Sequence, residues 1–234
     1  LAVIIGRAGS RGLAGKNSLI LAGQPMIGHT IEDALAADSI DRIIVSTDGD
    51  EIAFAAEAKG VDVIRRPSEL ASDTATVDSA VRHAVDASRA THEIIVILYA
   101  NVPIRPHDLI DRAVEMLTSM RCDSVQSYCD VGKHHPCWMI ALDAQGRVKP
   151  HVANAIYRRQ DLPKLLIPDG GVIAVTRRSL FTVVEGQPHA FLGSDRRGIE
   201  NPPGAVIDID SSIDLALAEA MLKPMPMHVC GATP

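Results

Sequence analysis

Short runs of apolar, β-branched residues recur along this chain, separated by longer stretches in which apolar residues return every three or four positions. Residues 2–5, 42–47, 61–64, 93–99, 124–128 and 171–176 have the length and composition of buried strands. Residues 25–37 read as a helix with Ile27, Ile31, Ala34 and Leu35 on one face, and residues 50–59 as an alanine-rich helix stopped by Gly60. Residues 76–90 and 106–120 carry the same helical period. Strand and helix alternate, so the pattern predicts right-handed β-α-β crossovers and an α/β fold with a mostly parallel, doubly wound sheet covered on both faces. In such sheets ligands collect at the carboxyl ends of the strands. The segments after 5, 47, 64 and 99 should therefore converge on one cleft.

The rhythm changes from 131 to 168. This stretch holds His134-His135-Pro136, a possible strand over 138–142, a turn at Gln145-Gly146 and then Tyr157-Arg158-Arg159-Gln160. It reads as an extended arm inserted into the sheet topology. A last strand is expected over 205–209 and a helix over 212–222, with Ser211 and Asp214 spaced as a capping box. Residues 1–222 are thus expected to form one domain including the arm, and 223–234, with three prolines, an irregular tail.

Composition narrows the picture. Hydrophobic residues make up 47% of the 234, ample for a core, but aromatics only 3%, so that core must be built from Ala, Val, Ile and Leu. A net charge of −6 argues against a nucleic-acid binder held by bulk electrostatics. Cys122, Cys129, Cys137 and Cys230 form no C-x-x-C pair, which points to free thiols in a reducing, cytoplasmic setting. No apolar run approaches a membrane span, and nothing at the start suggests a cleaved leader.

The candidate chemistry begins directly after the first strand. Gly6, Gly9, Gly12 and Gly15 are interleaved with Arg7, Ser10, Arg11 and Lys16, and Asn17 follows. Glycines let backbone N–H groups approach a ligand closely, and the cations supply charge for something strongly anionic. A nucleoside triphosphate and a merely solvated basic turn both fit. A P-loop does not, because Gly15-Lys16 precedes Asn17 and the residue five before Gly15 is Ser10. The G-x-G-x-x-G fingerprint is also absent. At the other end of the chain, Asp208 and Asp210 stand one residue apart in an extended run, hence on one side of the pleat. Paired carboxylates suit Mg2+, which takes one or two carboxylates plus substrate phosphates. The competing reading is a turn-forming Asp beside a solvated one.

Five ordered motifs make the chain resemble the CMP-sugar synthetases, the acylneuraminate and 3-deoxy-octulosonate cytidylyltransferases, from Ala2 to about Leu222. They are Ile5 to Gly12 with Lys16-Asn17; Val45-Ser46-Thr47-Asp48; Arg66-Pro-Ser-Glu-Leu-Ala-Ser-Asp73-Thr74-Ala75; Arg158 to Pro163, Arg-Arg-Gln-Asp-Leu-Pro, which matches the acylneuraminate branch; and Asp208-Ile-Asp210 followed by Asp214-Leu215. The chain departs from the family at the segment usually written L-L-Q-P-T-S-P-L-R, where Tyr99 replaces the glutamine and Asn101 and Val102 replace the small hydroxyl residues. Asp169-Gly170-Gly171 stands where N-G-A is usual.

The resemblance implies Mg2+-dependent transfer of a cytidylyl group from CTP to a 2-keto sugar acid, in the service of cell-surface polysaccharide. Arg7, Lys16 and Asp210 would act in catalysis, and Asp208 with Asp210 would hold the metal. Arg7, Gly9, Ser10, Arg11, Gly12, Lys16, Asn17, Arg66, Asp73 and Ala75 would bind the nucleotide. Tyr99, Asn101, Arg158, Arg159, Gln160 and Asp169 would face the sugar acid. The resemblance also implies a homodimer in which the arm reaches the neighbouring active site. Rival readings are a 3-deoxy-octulosonate or sugar-phosphate nucleotidyltransferase, a glycosyltransferase using Asp-x-Asp, and a non-catalytic nucleotide-binding module. His134 and His135 read as structural or substrate-polar, since neighbours in an extended chain point apart. Trp138 reads as a packing or dimer-contact residue.

Overall fold

A computed structural model describes residues 1–9, 12–13 and 15–223. Its core is a seven-stranded sheet. In chain order the strands are β1 (Ala2–Ile5), β4 (Ile43–Thr47), β5 (Asp62–Arg65), β6 (Ile94–Tyr99), β7 (Ser124–Asp130), β10 (Leu166–Thr176) and β11 (Arg196–Asn201). Outside it lie two short ribbons, β2 (Ile20–Leu21) with β3 (Gln24–Pro25) and β8 (Ile140–Leu142) with β9 (Val148–Pro150). Across the sheet the order is β5-β4-β1-β6-β10-β7-β11. Every neighbouring pair is parallel except the two made by β10, which runs against both β6 and β7. The expected mostly parallel α/β sheet is therefore present.

Helices α1 (Met26–Ala36), α2 (Asp50–Ala58), α3 (Val77–Ala87) and α4 (Leu109–Met120) are the crossovers, followed by the short α5 (Arg177–Leu180) and by α6 (Ser212–Leu222). They divide the core in two. One cluster gathers Ile4, Ile27, Ile31, Val45 and Leu98 under α1, α2 and α4, and the other gathers Val3, Ile44, Val81, Val85 and Ile97 under α3. Alternate residues of β1 thus face opposite layers, as a doubly covered strand requires. Gly60 ends the α2 turn at φ +72°, a conformation that glycine adopts without a Cβ clash.

Several expectations shift. Leu35 does not join the α1 core face and is 57% exposed, because the 100° step carries it past Ile31 and Ala34. Strand β10 begins at Leu166, inside the expected arm, and pairs there with the end of β7. Strand β11 was not anticipated. Its sequence, Arg-Arg-Gly-Ile-Glu-Asn, is that of a polar sheet edge in which only Ile199 and Asn201 are buried. Trp138 lies in a 3-10 turn ahead of β8.

Residues 205–209 form no ladder strand. Ile207 makes an isolated bridge with Ile104, its N–H donating to the Ile104 carbonyl at 3.1 Å, while the Ile209 N–H donates to the Asn101 carbonyl at 2.9 Å. Pro103 and Pro106 flank that neighbour, so a continued ladder is not available there. The run still alternates, with Ile207 and Ile209 buried and Asp208 and Asp210 on the outward side. Helix α6 begins with the expected capping box between Ser211 and Asp214. Cys122, Cys129 and Cys137 are free thiols, whereas Cys230 and the tail from 224 lie outside the described residues. Among the described residues, no helix is long and apolar enough to cross a membrane.

Candidate active site

Sheet register fixes where the loops meet. Ile5 lies beside Tyr99 on one side and Ser46 on the other, and Thr47 lies beside Arg65. The carboxyl ends of β5, β4, β1 and β6 therefore form one edge. The order of the sheet reverses between β1 and β6, the switch point at which open α/β sheets bind ligands. A cleft of about 250 Å3 opens there, lined by Arg7, Lys16, Asn17 and Arg66. Asp73 and Ala75 join it from the segment after β5, and Tyr99 and Asn101 from the end of β6.

Each of these groups is held. Arg66 donates from Nη2 to the Ser46 carbonyl at 2.6 Å and from Nε to the Ser46 hydroxyl at 3.1 Å. Burial draws its pKa below the usual guanidinium range, opposed by nearby Asp48. The Ala8 N–H donates to Asp48 at 2.9 Å, which pins the glycine loop to the end of β4. Arg7 pairs with Asp73 at 2.7 Å. Asn17 is buried, and its Nδ2 donates to the Arg7 carbonyl at 2.9 Å. That bond orients the amide and leaves Asn17 Oδ1 buried with no donor. An orphaned buried acceptor at a ligand cleft is the group a ligand N–H would satisfy.

The acidic pair meets the same cleft from the other side. Lys16 Nζ donates to Asp210 Oδ1 at 2.5 Å and to the Ile209 carbonyl at 3.1 Å. Gly12 passes so close that a Cβ there would sit 2.5 Å from the Asp210 carbonyl oxygen, so only glycine fits without a shift. Asn101 Nδ2 donates to Asp208 Oδ1 and, at 3.3 Å, to the Ile209 carbonyl. Asp208 keeps one edge open to solvent while protein crowds the rest of its carboxylate. That desolvation, then the charge of Asp210, pushes its pKa up to about 6 against the opposing pull of Lys16. Asp208 Oδ2 and Asp210 Oδ2 accept no hydrogen bond among the described residues. Two free carboxylate oxygens whose charges repel are a donor set that a hard divalent cation satisfies.

Other sequence candidates lie elsewhere. Gly9 is exposed with open space around it, and Ser10 and Arg11 lie outside the described residues. Asp169 is engaged by its own chain, accepting from Ser127, the Gly171 N–H at 2.9 Å and Asn201 at 2.8 Å. Arg158 pairs with Asp161 at 2.7 Å, while Arg159 and Gln160 line a separate cavity at the base of the arm. None of these three lines the cleft formed by its own chain. His135 is buried, with Nδ1 accepting from the Cys137 N–H at 3.2 Å and Nε2 donating to the Pro163 carbonyl at 3.1 Å, a structural role. Sequence reasoning did not find Ser46 as the anchor of Arg66, nor the pair that Arg105 Nη1 makes with Asp33 Oδ2 at 2.6 Å. Arg105 carried only a motif match as a signal, and its depth is visible only in three dimensions.

Solved structures share this fold. CMP:2-keto-3-deoxy-manno-octonic acid synthetase complexed with CTP aligns at a TM-score of 0.71 and 18% identity, covering 94% of this chain and 97% of that one. The 4-diphosphocytidyl-2C-methyl-D-erythritol synthase of Anaerococcus prevotii aligns at 0.63 and 14%, covering 95% and 98%. At these identities the likeness establishes a shared nucleotidyltransferase fold. The chain belongs to the cytidylyltransferase family, whose profile matches residues 1–163.

Among named relatives, an N-acylneuraminate cytidylyltransferase of Streptococcus agalactiae serotype III is 34% identical over 174 residues, 74% of this chain and 42% of its own. The CMP-N,N'-diacetyllegionaminic acid synthase of Legionella pneumophila is 31% identical over 229 residues, 95% of this chain and 96% of its own. An N-acylneuraminate cytidylyltransferase of Oncorhynchus mykiss is 30% identical over 224 residues, 93% and 49%. The chain spans about half the length of most of these relatives, whereas the Legionella protein matches it end to end.

Proposed function

We propose that this chain transfers the cytidylyl group of CTP to the anomeric hydroxyl of a 2-keto sugar acid of the nonulosonate type, releasing pyrophosphate. The observation that carries the reading is the meeting of Arg7, Lys16, Asn17 and Arg66 with the Asp208–Asp210 pair at the switch point. The hydroxyl oxygen forms the new bond to the α-phosphorus, the bond from that phosphorus to the bridging oxygen of the β-phosphate breaks, and the hydroxyl proton passes to solvent. Such transfers depend on positioning and charge stabilisation. Arg7 and Lys16 face the phosphates and offset charge as pyrophosphate departs. Asn17 Oδ1 and the Ala75 backbone hold the base, and Arg66, fixed by Ser46, supports that end of the cleft. Asp208 and Asp210 would hold Mg2+, which when bound would supply further charge neutralisation for the transferring phosphoryl group.

The arm supports a homodimer. Ile140, Leu142, Val148 and Ile167 are exposed on it, and Tyr157 is 94% exposed, an apolar surface of the kind that marks an interface. Arg158 and Arg159, remote from the cleft of their own chain, then serve the partner's sugar carboxylate. Free thiols fit a cytoplasmic enzyme whose product feeds cell-surface polysaccharide. The test is pyrophosphate release over the four nucleoside triphosphates against nonulosonic and octulosonic acids. Turnover is expected with CTP alone and best with a nine-carbon acid. Turnover of UTP with a hexose phosphate would overturn the reading.

A further inference from the structure

Strand β10 is interrupted where it passes the acidic pair. Its pairing with β7 sets Pro168 opposite Tyr128 and Ile173 opposite Gln126, so five steps of β10 span two of β7. The surplus residues, centred on 169–171, form a bulge, a feature by which strands break their pairing and re-aim groups beside a site. The geometry points to Asp169 as a positioning residue that holds this bulge against Asp208 and so fixes the Asp208 carboxylate for a divalent cation. The inference rests on the reading of Asp208 and Asp210 as the metal-binding pair.

Three donors converge on the Asp169 carboxylate. Ser127 Oγ and the Gly171 N–H donate to Oδ1 at 2.5 and 2.9 Å, and Asn201 Nδ2 donates to Oδ2 at 2.8 Å. Ser127 and Asn201 are buried members of β7 and β11, so the carboxylate ties the bulge to both strands. The Ser127 hydroxyl also accepts from the Val172 N–H at 2.9 Å, and Arg105 Nε donates to the Gly171 carbonyl at 3.1 Å. A Cβ on Gly171 would lie 2.8 Å from Leu109 Cδ2 and 2.9 Å from Ser127 Oγ, so the bulge is seated without spare room.

What the seated bulge presents to the acidic pair is Gly170. It holds φ at +79°, and a Cβ built on it would lie 3.4 Å from Val102 Cγ2 and 3.5 Å from Asp208 Oδ2. Its backbone thus stands beside the carboxylate oxygen that Asn101 does not hold, since Asn101 Nδ2 donates to Oδ1. Val102 is itself clamped, its carbonyl accepting from Arg105 Nη2 at 2.7 Å and from the Thr30 hydroxyl at 3.0 Å. Asn101 restrains one oxygen of Asp208 and Gly170 bounds the other, which narrows the rotations open to the carboxylate. Groups that orient a metal ligand from behind are worth about 10- to 100-fold in metal affinity. The bonds of Asp169 run within the chain, so it acts on the metal site through Gly170 and not by contact.

The experiment titrates the full chain with Mn2+ alone and reads free Mn2+ by electron paramagnetic resonance, well below the Tm of each variant. Asp169→Ala should raise the Mn2+ Kd about 10- to 100-fold. Losing a negative charge near the site also weakens a cation, so Asp169→Asn carries the comparison. Its Oδ1 still accepts from Ser127 and Gly171, and its Nδ2 meets Asn201, whose buried Oδ1 has no donor and can turn to accept. Asp169→Asn loses the same charge but keeps the bulge, and should stay within about threefold of the parent. Ser127→Ala, which removes one donor to Asp169, should weaken Mn2+ about tenfold and serves if Asp169→Ala does not fold. An unchanged Kd in either folded alanine variant, or an Asp169→Asn as weak as Asp169→Ala, overturns this inference and leaves the metal pair standing. A parent that binds no Mn2+, or binds it as well after Asp208→Asn, overturns both.

Discussion

Removing the Arg105 guanidinium tests whether the cleft stands on a buried ion pair. The side chain of Arg105 is 0% exposed and its Nη1 donates to Asp33 Oδ2 at 2.6 Å, with the Asp33 side chain 18% exposed. Its remaining donors reach the Val102 carbonyl at 2.7 Å and the Gly171 carbonyl at 3.1 Å. One side chain thus ties α1, the segment after β6 and β10 together at Val102, the residue next to Asn101. Arg105→Met preserves much of the volume but leaves a buried carboxylate without its cation and two carbonyls without donors. Breaking a buried pair from one side costs about 3–5 kcal/mol. In a protein of this size each kcal/mol moves Tm by roughly 2–4 °C, so a fall of about 6–20 °C is expected.

The sign of the pH dependence separates this from a simple packing loss. Burial already raises the Asp33 pKa despite Arg105, and without the cation it must rise further. A group whose folded pKa lies above its unfolded value contributes stability below the unfolded pKa and loses it as pH rises through the folded one. Urea denaturation should therefore find the gap between parent and Arg105→Met smaller at pH 5 than at pH 7. Asp33→Asn combined with Arg105→Met should cost less than the two singles added, by roughly 0.5–3 kcal/mol. A Tm within about 2 °C of the parent, or a gap that does not shrink on acidification, would refute the reasoning.

Four further outcomes follow from the same geometry. Asp210→Ala should lower Mg2+-dependent turnover at least about a hundredfold with the circular dichroism spectrum unchanged, and near-normal activity would remove Asp210 from the metal site. Gly12→Ala places a Cβ 2.5 Å from a backbone oxygen, so the loop must yield; misplacement approaching 1 Å should cost about a hundredfold in kcat/KM with Tm little changed, and an unimpaired variant would mean the loop does not pack there during turnover. Mixing Arg158→Ala with Asp210→Ala subunits should restore activity if the arm is shared across a dimer, and no recovery in a mixture shown to exchange subunits would count against it. Asp123, held below the usual carboxylate range first by the backbone N–H groups of Asp195 and Ser194, contributes stability above its unfolded pKa near 3.9 and loses it as pH falls through the lower folded value, so the deficit of Asp123→Asn against the parent should be full at pH 6 and shrink progressively as pH is lowered below about 4, and a deficit independent of pH would count against it.

Much of this protein was legible in one dimension because its elements are decided locally. Strands buried on both faces must be continuous apolar runs, so β1, β4 and β6 declared themselves, and helices with one buried stripe showed their period. The cations of the glycine loop and the Asp208–Asp210 pair were visible as residue types at telling positions, and the alternation that sets both carboxylates outward needed no ladder. What the chain order does not contain is which strands lie side by side. Only the sheet order brings residues 7, 66, 99 and 208 to one edge, because parallel neighbours are chosen by how helices cover the two faces. The antiparallel reversal of β10, the polar edge strand β11 and the burial of Arg105 against Asp33 all depend on partners far away in sequence.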